Sequence, residues 1–263
     1  MSGEYFYKLR KKLDYKENEQ FLFNIIVPVF NAENYLEKCI NSIIKQSFKN
    51  FQVKIVDDCS TDSSYEIASE LCANYKKFSI FKNSRRIGAL NNISKLLGMS
   101  VKDPSKTIDI LIDGDDYLYS GDVLSIIYEK YLKTHCLITY GTHLSSKGVQ
   151  GKKYPWLIRN FNLYRKYFWY ASHLRTFRHD LWLSLNPNDL LDKNGQYFPV
   201  AWDLAIMFPM LEMAGNRQEF MNDLLYVYND QNPISDHKIR RREQILVAKE
   251  IRRKKKYNEK KFI

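Results

Sequence analysis

The sequence contains no apolar run long enough to cross a membrane. The best candidate, FLFNIIVPVF at 21–30, is interrupted by Asn24 and Pro28 and is about half of the ~18 to 20 residues that a span requires. The first twenty residues, MSGEYFYKLRKKLDYKENEQ, also lack the apolar segment of a secretory signal. We therefore expect a cytoplasmic protein without a transmembrane segment.

Cysteine is scarce and is not arranged for metal binding. The chain has 4 cysteines, and none of them forms a CxxC pair. Two of the four fall in predicted helices, Cys39 and Cys72. This pattern favours reduced, buried thiols over a zinc site or disulfides.

Acidic residues are strongly outnumbered by basic ones only near the C-terminal end of the given sequence. The formal net charge is +11, and residues 238–263 carry 12 Lys or Arg against 3 Glu, an excess of 12 − 3 = +9. The remainder is close to neutral, which makes nucleic acid an unlikely partner for the fold as a whole. We expect one domain over 1–235 and a basic helical tail over 236–263.

The first half alternates short apolar runs with helical patterns. Apolar runs at 21–29, 51–56, 78–81, 107–112 and 136–140 are separated by segments whose apolar residues recur at helical spacing. Such alternation predicts βαβ units and a Rossmann-like parallel sheet covered on both faces over about 21–140. Residues 141–235 are less regular and are rich in aromatic residues and arginine.

Polar residues follow three of the predicted strands. Asn31 follows the first strand, Asp57 and Asp58 follow the second, and LIDGDDYL at 111–118 closes the fourth. In a parallel sheet these ends share one edge, where ligands bind. Carboxylates at such an edge suit Mg²⁺ or Mn²⁺. LIDGDDYL alone is equally compatible with a solvated acidic loop.

Four ordered motifs, IIVPVFNAENYL, KIVDDCSTDSS, RRIGALNN and LIDGDDYL, resemble those of the inverting family 2 glycosyltransferases of the GT-A fold. The resemblance covers roughly residues 23–120. It implies an α/β fold with a mostly parallel central sheet flanked by helices. It further implies a nucleotide-sugar half at about 21–140 and an acceptor half at about 141–235.

The resemblance assigns donor-binding roles to the first three motifs. It places Pro28 and Phe30 against the nucleotide base, and Asp58 at the edge of that base. Arg86 and Gly88 correspond to a basic, glycine-containing turn near the base and diphosphate. The alternatives are acids that favour a helix dipole, for Asp58, and a plain surface position for Arg86.

The resemblance also implies a divalent cation, Mn²⁺ or Mg²⁺. It assigns Asp116 to the metal and Asp115 to the metal or the ribose hydroxyls, with Asp113 supporting them. His237, in YNDQNPISDHK, could reach the metal or a phosphate. The distribution of roles among the three aspartates stays open.

Catalytic and acceptor-side residues are expected in the second half. An inverting transfer needs a base for the acceptor hydroxyl, and the resemblance assigns Asp203 of VAWDLAIMFPMLE to it, the alternative being an acid at a helix N-terminus. In HLRTFRHDLW, His173, Arg175 and Arg178 could contact acceptor or phosphate. Trp156, Trp169, Tyr170 and Trp202 are compatible with a sugar-stacking wall and equally with core packing.

The resemblance therefore implies a metal-dependent transfer of a sugar, from a UDP-sugar as the expected nucleotide-sugar, to a glycan or glycoconjugate acceptor. A sugar-phosphate nucleotidyltransferase is disfavoured because NIIVPVFNAEN contains no glycine. The non-enzymatic alternative is a basic module in which IRRREQILVAKEIRRKKKYNEKK binds RNA or lies on an anionic membrane surface. Peripheral membrane contact through this tail is also compatible with the enzyme.

Overall fold

The computed structural model describes residues 21–262, apart from the side chain of His237. Its nine strands are β1 (Leu22–Val29), β2 (Phe51–Asp57), β3 (Phe78–Lys82), β4 (Thr107–Leu111), β5 (Tyr117–Leu118), β6 (Ile138–Ser145), β7 (Gly148–Gln150), β8 (Arg175–Arg178) and β9 (Gln218–Val227). Within these residues the strands form one sheet in the order β3-β2-β1-β4-β8-β6-β9-β5, with β7 paired to β6.

Helices cover both faces of this sheet. The α-helices are α1 (Glu33–Ile44), α2 (Ser64–Cys72), α3 (Ala89–Leu97), α4 (Val123–Thr134), α5 (Trp156–Asn160), α6 (His179–Leu183), α7 (Trp202–Ala214), α8 (Asp236–Ile239) and α9 (Arg241–Arg253). Three short 3₁₀ turns lie at Pro104–Lys106, Tyr164–Lys166 and Pro187–Leu190.

The first half forms the predicted parallel sheet. β1 pairs in parallel with both β2 and β4, and β2 pairs in parallel with β3. All five residues of β4 are buried, as expected for a strand covered on both faces. The α/β prediction is confirmed, and the predicted strands and helices of this half correspond to observed ones.

β8 is a central strand that the sequence patterns did not predict, and they also did not predict the short strands β5 and β7. It lies antiparallel between β4 and β6, with Leu111 opposite Arg175 and Ile108 opposite Arg178. RTFR is short and begins and ends with a charge, so it lacks the apolar run of a central strand. Because β8 runs against β4, Arg175 lies at the carboxyl end of β4 and Arg178 at its amino end.

Two apolar cores lie on the two faces of the sheet. One contains α1 and α4 and the other is built around α3 and α7. In α7 every residue from Leu204 to Ala214 is buried, so this helix is surrounded by protein. A helix buried on all sides gives no amphipathic pattern in the sequence. Only the first turn of α7, with Trp202 and Asp203, lies at the edge of the core.

The basic C-terminal segment packs on the second half of the chain. Ile251 of α9 is 1% exposed, and one guanidinium nitrogen of Arg252 donates to the carbonyls of Tyr164, Arg165 and Tyr167. The helix ends at Arg253, where Lys254 is extended, so the expected helical tail over 236–263 is helical only in part. Contacts therefore cross the predicted boundary between residues 235 and 236.

Two other expectations concern the cysteines and the membrane. All four cysteines are free, and Cys39, Cys72 and Cys136 are buried, as predicted. Burial raises the pKa of the Cys72 and Cys136 thiols to about 11.

Over residues 21–262, every helix falls short of the length and apolar character needed to cross a bilayer.

A buried ion pair connects α7 to the C-terminal segment. Arg165 donates to both carboxylate oxygens of Glu212 at 2.6 and 3.0 Å, and the two side chains are 3% and 0% exposed. Arg165 also donates to the Ile251 carbonyl at 2.7 Å, and Glu212 accepts from the Tyr257 amide at 2.9 Å. The pair is therefore buried and fully hydrogen-bonded.

We expect Glu212→Gln to lower the free energy of unfolding by about 3 to 5 kcal/mol, because it leaves the Arg165 charge buried without its counter-ion. Glu129→Gln is the matched control, since Glu129 and Lys133 form an exposed pair whose loss changes stability by about 0.5 kcal/mol or less. Urea denaturation followed by circular dichroism measures both. Equal losses of unfolding free energy for the two variants would show that the buried pair contributes no more to stability than the exposed pair.

Candidate active site

A cavity of about 690 Å³ opens at the carboxyl ends of β1, β2 and β4. Both halves of the chain contribute to its walls, including Phe30, Asp58, Gly88, Asp113, Arg175 and Asp203. This is the edge at which parallel α/β sheets bind ligands. The predicted edge and the observed cavity therefore coincide.

Two turns at this edge are connected by side chains. The Asn31 amide donates to Ser60 Oγ at 3.0 Å, and Asn31 Oδ1 accepts from the Thr61 amide at 2.9 Å. Asn31 has a φ of 50°, a left-handed conformation that asparagine tolerates better than most residues. The turn after β1, which carries Phe30, is thereby held against the turn after β2, which carries Asp58.

Phe30 and Arg86 lie together in the cavity wall. The Arg86 guanidinium carbon is 3.7 Å from the centre of the Phe30 ring, in a cation–π contact. Arg86, unlike Arg85, lines the cavity, as does the predicted Pro28. A flat ring beside a cation suits an aromatic base attached to a phosphate.

Asp58 organises the turn before α3. Its carboxylate accepts from the side chain of Asn83 at 2.9 Å and from the amides of Ile87 and Gly88 at 2.9 and 2.8 Å. Asp58 is 4% exposed and lines the cavity. An ionised carboxylate offers about four acceptor positions, so one remains for a ligand.

Gly88 is required by backbone conformation. Its φ is 88° and its ψ is 155°, a region that is essentially restricted to glycine. A Cβ at this position would meet no protein atom within 4 Å. The positive φ therefore accounts for this glycine within the protein, and the open space beside it leaves room for a ligand.

Asn92 is a cavity residue that the sequence analysis did not single out. Its side chain is 1% exposed and its Oδ1 accepts from Asn83 at 2.7 Å. Its Nδ2 has no hydrogen-bond partner within the described part of the chain. A buried amide donor without a partner costs free energy, and a ligand in the cavity can accept from it. Asn92 is the last residue of the motif RRIGALNN. Its position on the buried side of α3 could have identified it as a site residue.

The turn that carries the three aspartates packs tightly on β1. The Gly114 amide donates to the Pro28 carbonyl at 3.2 Å. A Cβ on Gly114 would lie 2.9 Å from Val29 Cγ2 and 3.1 Å from that carbonyl. Only glycine fits at this distance, so LIDGDDYL turns closely over the end of the sheet.

The second half of the chain holds the carboxylates in place. Tyr226 Oη donates to Asp116 at 2.8 Å, and the Asn229 amide donates to the same carboxylate at 2.7 Å. Tyr226 Oη also accepts from the Asp113 amide at 3.1 Å. Asn232 donates to Asp115 at 2.7 Å. β9 and the loop after it therefore hold the side chains of Asp115 and Asp116 and the backbone of Asp113.

Burial and mutual repulsion raise the pKa of these acids. Burial raises the pKa of Asp113 to about 7; Arg175 opposes this rise, and the charges of Asp115 and Asp203 add to it. Burial, followed by the charges of Asp115 and Asp113, raises the pKa of Asp116 well above its ordinary value. The acids are thus held close together at an energetic cost that a bound cation would reduce.

His173 lies beside Asp113 and Asp116. Its ring stacks on Tyr226 at 4.7 Å and on Tyr228 at 5.0 Å. Burial, helped by Arg175 and His143, lowers its pKa well below the ordinary value, so the imidazole is neutral. One ligand atom each from Asp113, Asp116 and His173 lie within 4.8 Å of one another.

Two carboxylates and a neutral imidazole form a donor set that fits a divalent cation. His173 had been expected at the acceptor or phosphate, and the structure places it with the carboxylates. Asp115 lines the cavity beside this group but is not a member of it. The side chain of His237, the remaining predicted ligand, lies outside the described residues.

Asp203 lies at the start of α7 and lines the cavity, as predicted. Arg175 Nη2 is 3.3 Å from Asp203 Oδ2 and 3.3 Å from His173 Nε2. The Arg175 guanidinium carbon also lies 5.2 Å from the centre of the Trp202 ring. Arg175 therefore connects Asp203, the expected catalytic base, to the candidate metal group.

Arg178 lies away from the cavity, so the structure does not support its predicted contact with an acceptor or phosphate. Arg178 pairs with Asp180, is 8% exposed and is not among the residues that line the cavity. It lies at the end of β8 opposite to Arg175, because the two residues are three positions apart on a strand that crosses the sheet. Of the four residues considered for a sugar-stacking wall, only Trp202 lines the cavity, and Trp156 is 60% exposed.

The sequence model of the family described as Glycosyl transferase family 2 matches residues 24–188. The chain belongs to this family. This family 2 glycosyltransferase is similar to glycosyltransferase GlyA of Streptococcus pneumoniae. The two are 31% identical over 131 residues, which cover 49% of the chain and 18% of GlyA.

The chain is also similar to the poly(ribitol-phosphate) β-N-acetylglucosaminyltransferase TarS of Staphylococcus aureus. These two are 33% identical over 140 residues, which cover 51% of the chain and 22% of TarS. The minor teichoic acid biosynthesis protein GgaA of Bacillus subtilis is 27% identical over 227 residues, 79% of the chain and 47% of GgaA. The chain spans less than half of the length of each of these relatives.

Solved structures share the fold of the family 2 glycosyltransferase described here. TarS residues 1–349 in complex with UDP superimpose with a TM-score of 0.59 at 21% identity, over 82% of this chain and 62% of that chain. The mannosyltransferase PcManGT from Pyrobaculum calidifontis, in complex with GDP-Man and Mn²⁺, gives a TM-score of 0.55 at 17% identity, over 86% of this chain and 63% of that chain. These likenesses confirm the expected GT-A fold class.

We expect Tyr226→Phe to lower the free energy of unfolding by about 1 to 3 kcal/mol, because Asp116 loses a buried donor and the Asp113 amide loses its acceptor. Tyr75→Phe, at a side chain that is 44% exposed, is the control and changes stability by about 0.5 kcal/mol or less. Chemical denaturation measures both variants. An unaltered midpoint for Tyr226→Phe would contradict the assigned role of its hydroxyl.

Proposed function

We propose that this family 2 glycosyltransferase transfers a sugar from a UDP-sugar to a hydroxyl of a glycan or glycoconjugate with inversion at the anomeric carbon. The observation that carries the proposal is the shared cavity in which Phe30, Asp58 and Asp113 of the first half meet Asp203 of the second half. The complexes of TarS with UDP and with UDP-GlcNAc support the choice of donor.

The nucleotide base is proposed to bind between Phe30, Arg86 and Asp58. A ring face offers stacking to the base, and Arg86 offers a positive charge to the phosphates. Asp58 has acceptor capacity for an imide N–H, and the free amide donor of Asn92 can reach a carbonyl. A uracil ring carries both of these groups, which is the chemical reason for favouring UDP.

Asp113, Asp116 and His173 are the residues proposed to hold Mn²⁺ or Mg²⁺, with Asp115 beside them. A bound divalent cation supplies Lewis-acid charge that stabilises the departing nucleoside diphosphate. Tyr226 and the Asn229 amide hold Asp116 in one orientation, and Arg175 partly offsets the negative charge of Asp113. The buried acids are thereby arranged before any ligand binds.

Asp203 is proposed to take the proton of the acceptor hydroxyl as its oxygen attacks the anomeric carbon. Its Oδ2 is held by Arg175 at 3.3 Å, which directs the carboxylate into the cavity. Its side chain is 19% exposed, so an acceptor can reach it from solvent. A single displacement of this kind inverts the configuration. Trp202, next to it, offers a flat face to the acceptor sugar.

The decisive experiment is a panel of nucleotide-sugars tested with and without Mn²⁺ by isothermal titration calorimetry and by release of nucleotide. We expect UDP-sugars to bind and to be slowly hydrolysed in the presence of Mn²⁺, and EDTA to abolish hydrolysis, because without a cation the charge of the departing nucleoside diphosphate is not stabilised. Tight binding of a GDP-sugar alone would overturn the choice of UDP. Absence of binding by the whole panel would overturn the function.

We expect Asp203→Asn to lower the rate of sugar transfer by about 10²- to 10⁴-fold, the usual contribution of a general base, with unchanged donor affinity. Asp223→Asn is the control, because Asp223 lies exposed on β9. Transfer is followed by nucleotide release with a cell-wall glycan preparation as acceptor. A loss of donor affinity equal to the loss of rate would assign Asp203 to binding instead.

A further inference from the structure

Four large apolar side chains lie exposed together on one segment of the second half. Trp156, Leu157, Phe161 and Phe168 are 60%, 56%, 62% and 72% exposed. The Trp156 and Phe161 rings contact each other edge to face, with centroids 6.5 Å apart. Exposed apolar clusters of this kind are usual at interaction surfaces and unusual elsewhere on a soluble fold.

The same segment carries only positive charge. Residues 151–170, GKKYPWLIRNFNLYRKYFWY, contain 5 Lys or Arg and no Asp or Glu. Lys152, Lys153 and Lys166 are exposed beside the apolar side chains. The surface is therefore complementary to a partner that is both apolar and negatively charged.

The C-terminal segment extends this charge. Asn162 donates to the Tyr257 carbonyl at 2.9 Å, and Lys256 Nζ donates to the Asn162 carbonyl at 3.0 Å. RRKKK at 252–256 therefore borders the exposed segment, with Lys255 and Lys256 exposed. We call residues 152–168 together with 252–256 the aromatic-basic surface.

We propose that the aromatic-basic surface binds an anionic lipid bilayer. Tryptophan and phenylalanine rings insert at the level of the lipid headgroups, and lysines surrounding them pair with lipid phosphates. RNA would use the rings for stacking, but it has no use for exposed aliphatic side chains. Leu157 belongs to this surface, and Ile245 and Leu246 are exposed on α9 at 50% and 66%.

One helix connects this surface to the cavity. Gln244 of α9 lines the cavity, and Arg252 of the same helix donates to the carbonyls of Tyr164 and Tyr167. These residues are eight positions apart, about 12 Å along a helix. Docking through the aromatic-basic surface would bring the cavity near the bilayer. Only the choice of acceptor rests on the proposed function. The acceptor class would then be a lipid-linked glycan.

The test is co-sedimentation of the full chain with phosphatidylcholine vesicles, with and without phosphatidylglycerol. We expect binding only with phosphatidylglycerol. Each lysine near an anionic surface contributes about 1 kcal/mol to binding, which is about fivefold in affinity. The double variant Lys152→Gln with Lys153→Gln should therefore weaken binding about 25-fold. Lys76→Gln with Lys102→Gln, at exposed lysines elsewhere, is the charge control and should leave binding unchanged.

Trp156→Ser with Phe161→Ser tests the apolar part, and Tyr119→Ser with Val149→Ser, at side chains 50% and 63% exposed, is its control. The first pair should lose vesicle binding at an unchanged unfolding temperature, and the control pair should retain it. Equal binding to neutral vesicles, binding that both pairs lose alike, or binding of a homopolymer RNA without vesicle binding would overturn the proposal. The assay contains no nucleotide-sugar, so its outcome is independent of the proposed activity.

Discussion

The site depends on one constraint, which is that acidic side chains are held close together and away from water at the end of β4. Burial and repulsion raise the pKa of Asp113 and Asp116, so the arrangement costs free energy. It persists because Tyr226 and the Asn229 amide hydrogen-bond to Asp116, and Arg175 supplies a positive charge. The protein thus maintains a preformed group of carboxyls whose ionised forms are disfavoured by burial and repulsion, a cost that a bound divalent cation would reduce.

The two halves of the chain divide this task. The first half contributes strand ends and tight turns, since parallel strands bring Phe30, Asp58 and Asp113 to one edge. The second half contributes the groups that satisfy and orient them, through β8, β9 and the loop after β9. Asp58 shows the same principle within the first half, because its carboxylate orders the turn that presents Gly88. The cavity is therefore complete only when both halves have folded.

Sequence reasoning was successful where a local pattern decides the structure. Apolar periodicity predicted the alternating strands and helices, and order along the chain then placed the acids at the carboxyl edge. It did not predict β8, because a short strand with charged ends has no periodicity to detect. The sequence therefore did not distinguish Arg175 from Arg178, and the position of His173 beside the carboxylates was not foreseen. Asn92 was missed because its exposure to the cavity follows from how α3 packs.

The sequence by itself determined the α/β class and the edge at which the site lies, because apolar spacing fixes where each residue falls on a strand or turn. Its resemblance to family 2 glycosyltransferases, and not spacing, made Pro28, Phe30, Asp58 and Asp203 candidates. Only the tertiary structure decided which carboxylates group with His173, which arginine reaches Asp203 and where the basic C-terminal segment packs. Those contacts join residues far apart in sequence, through an antiparallel strand and buried hydrogen bonds that leave no local pattern.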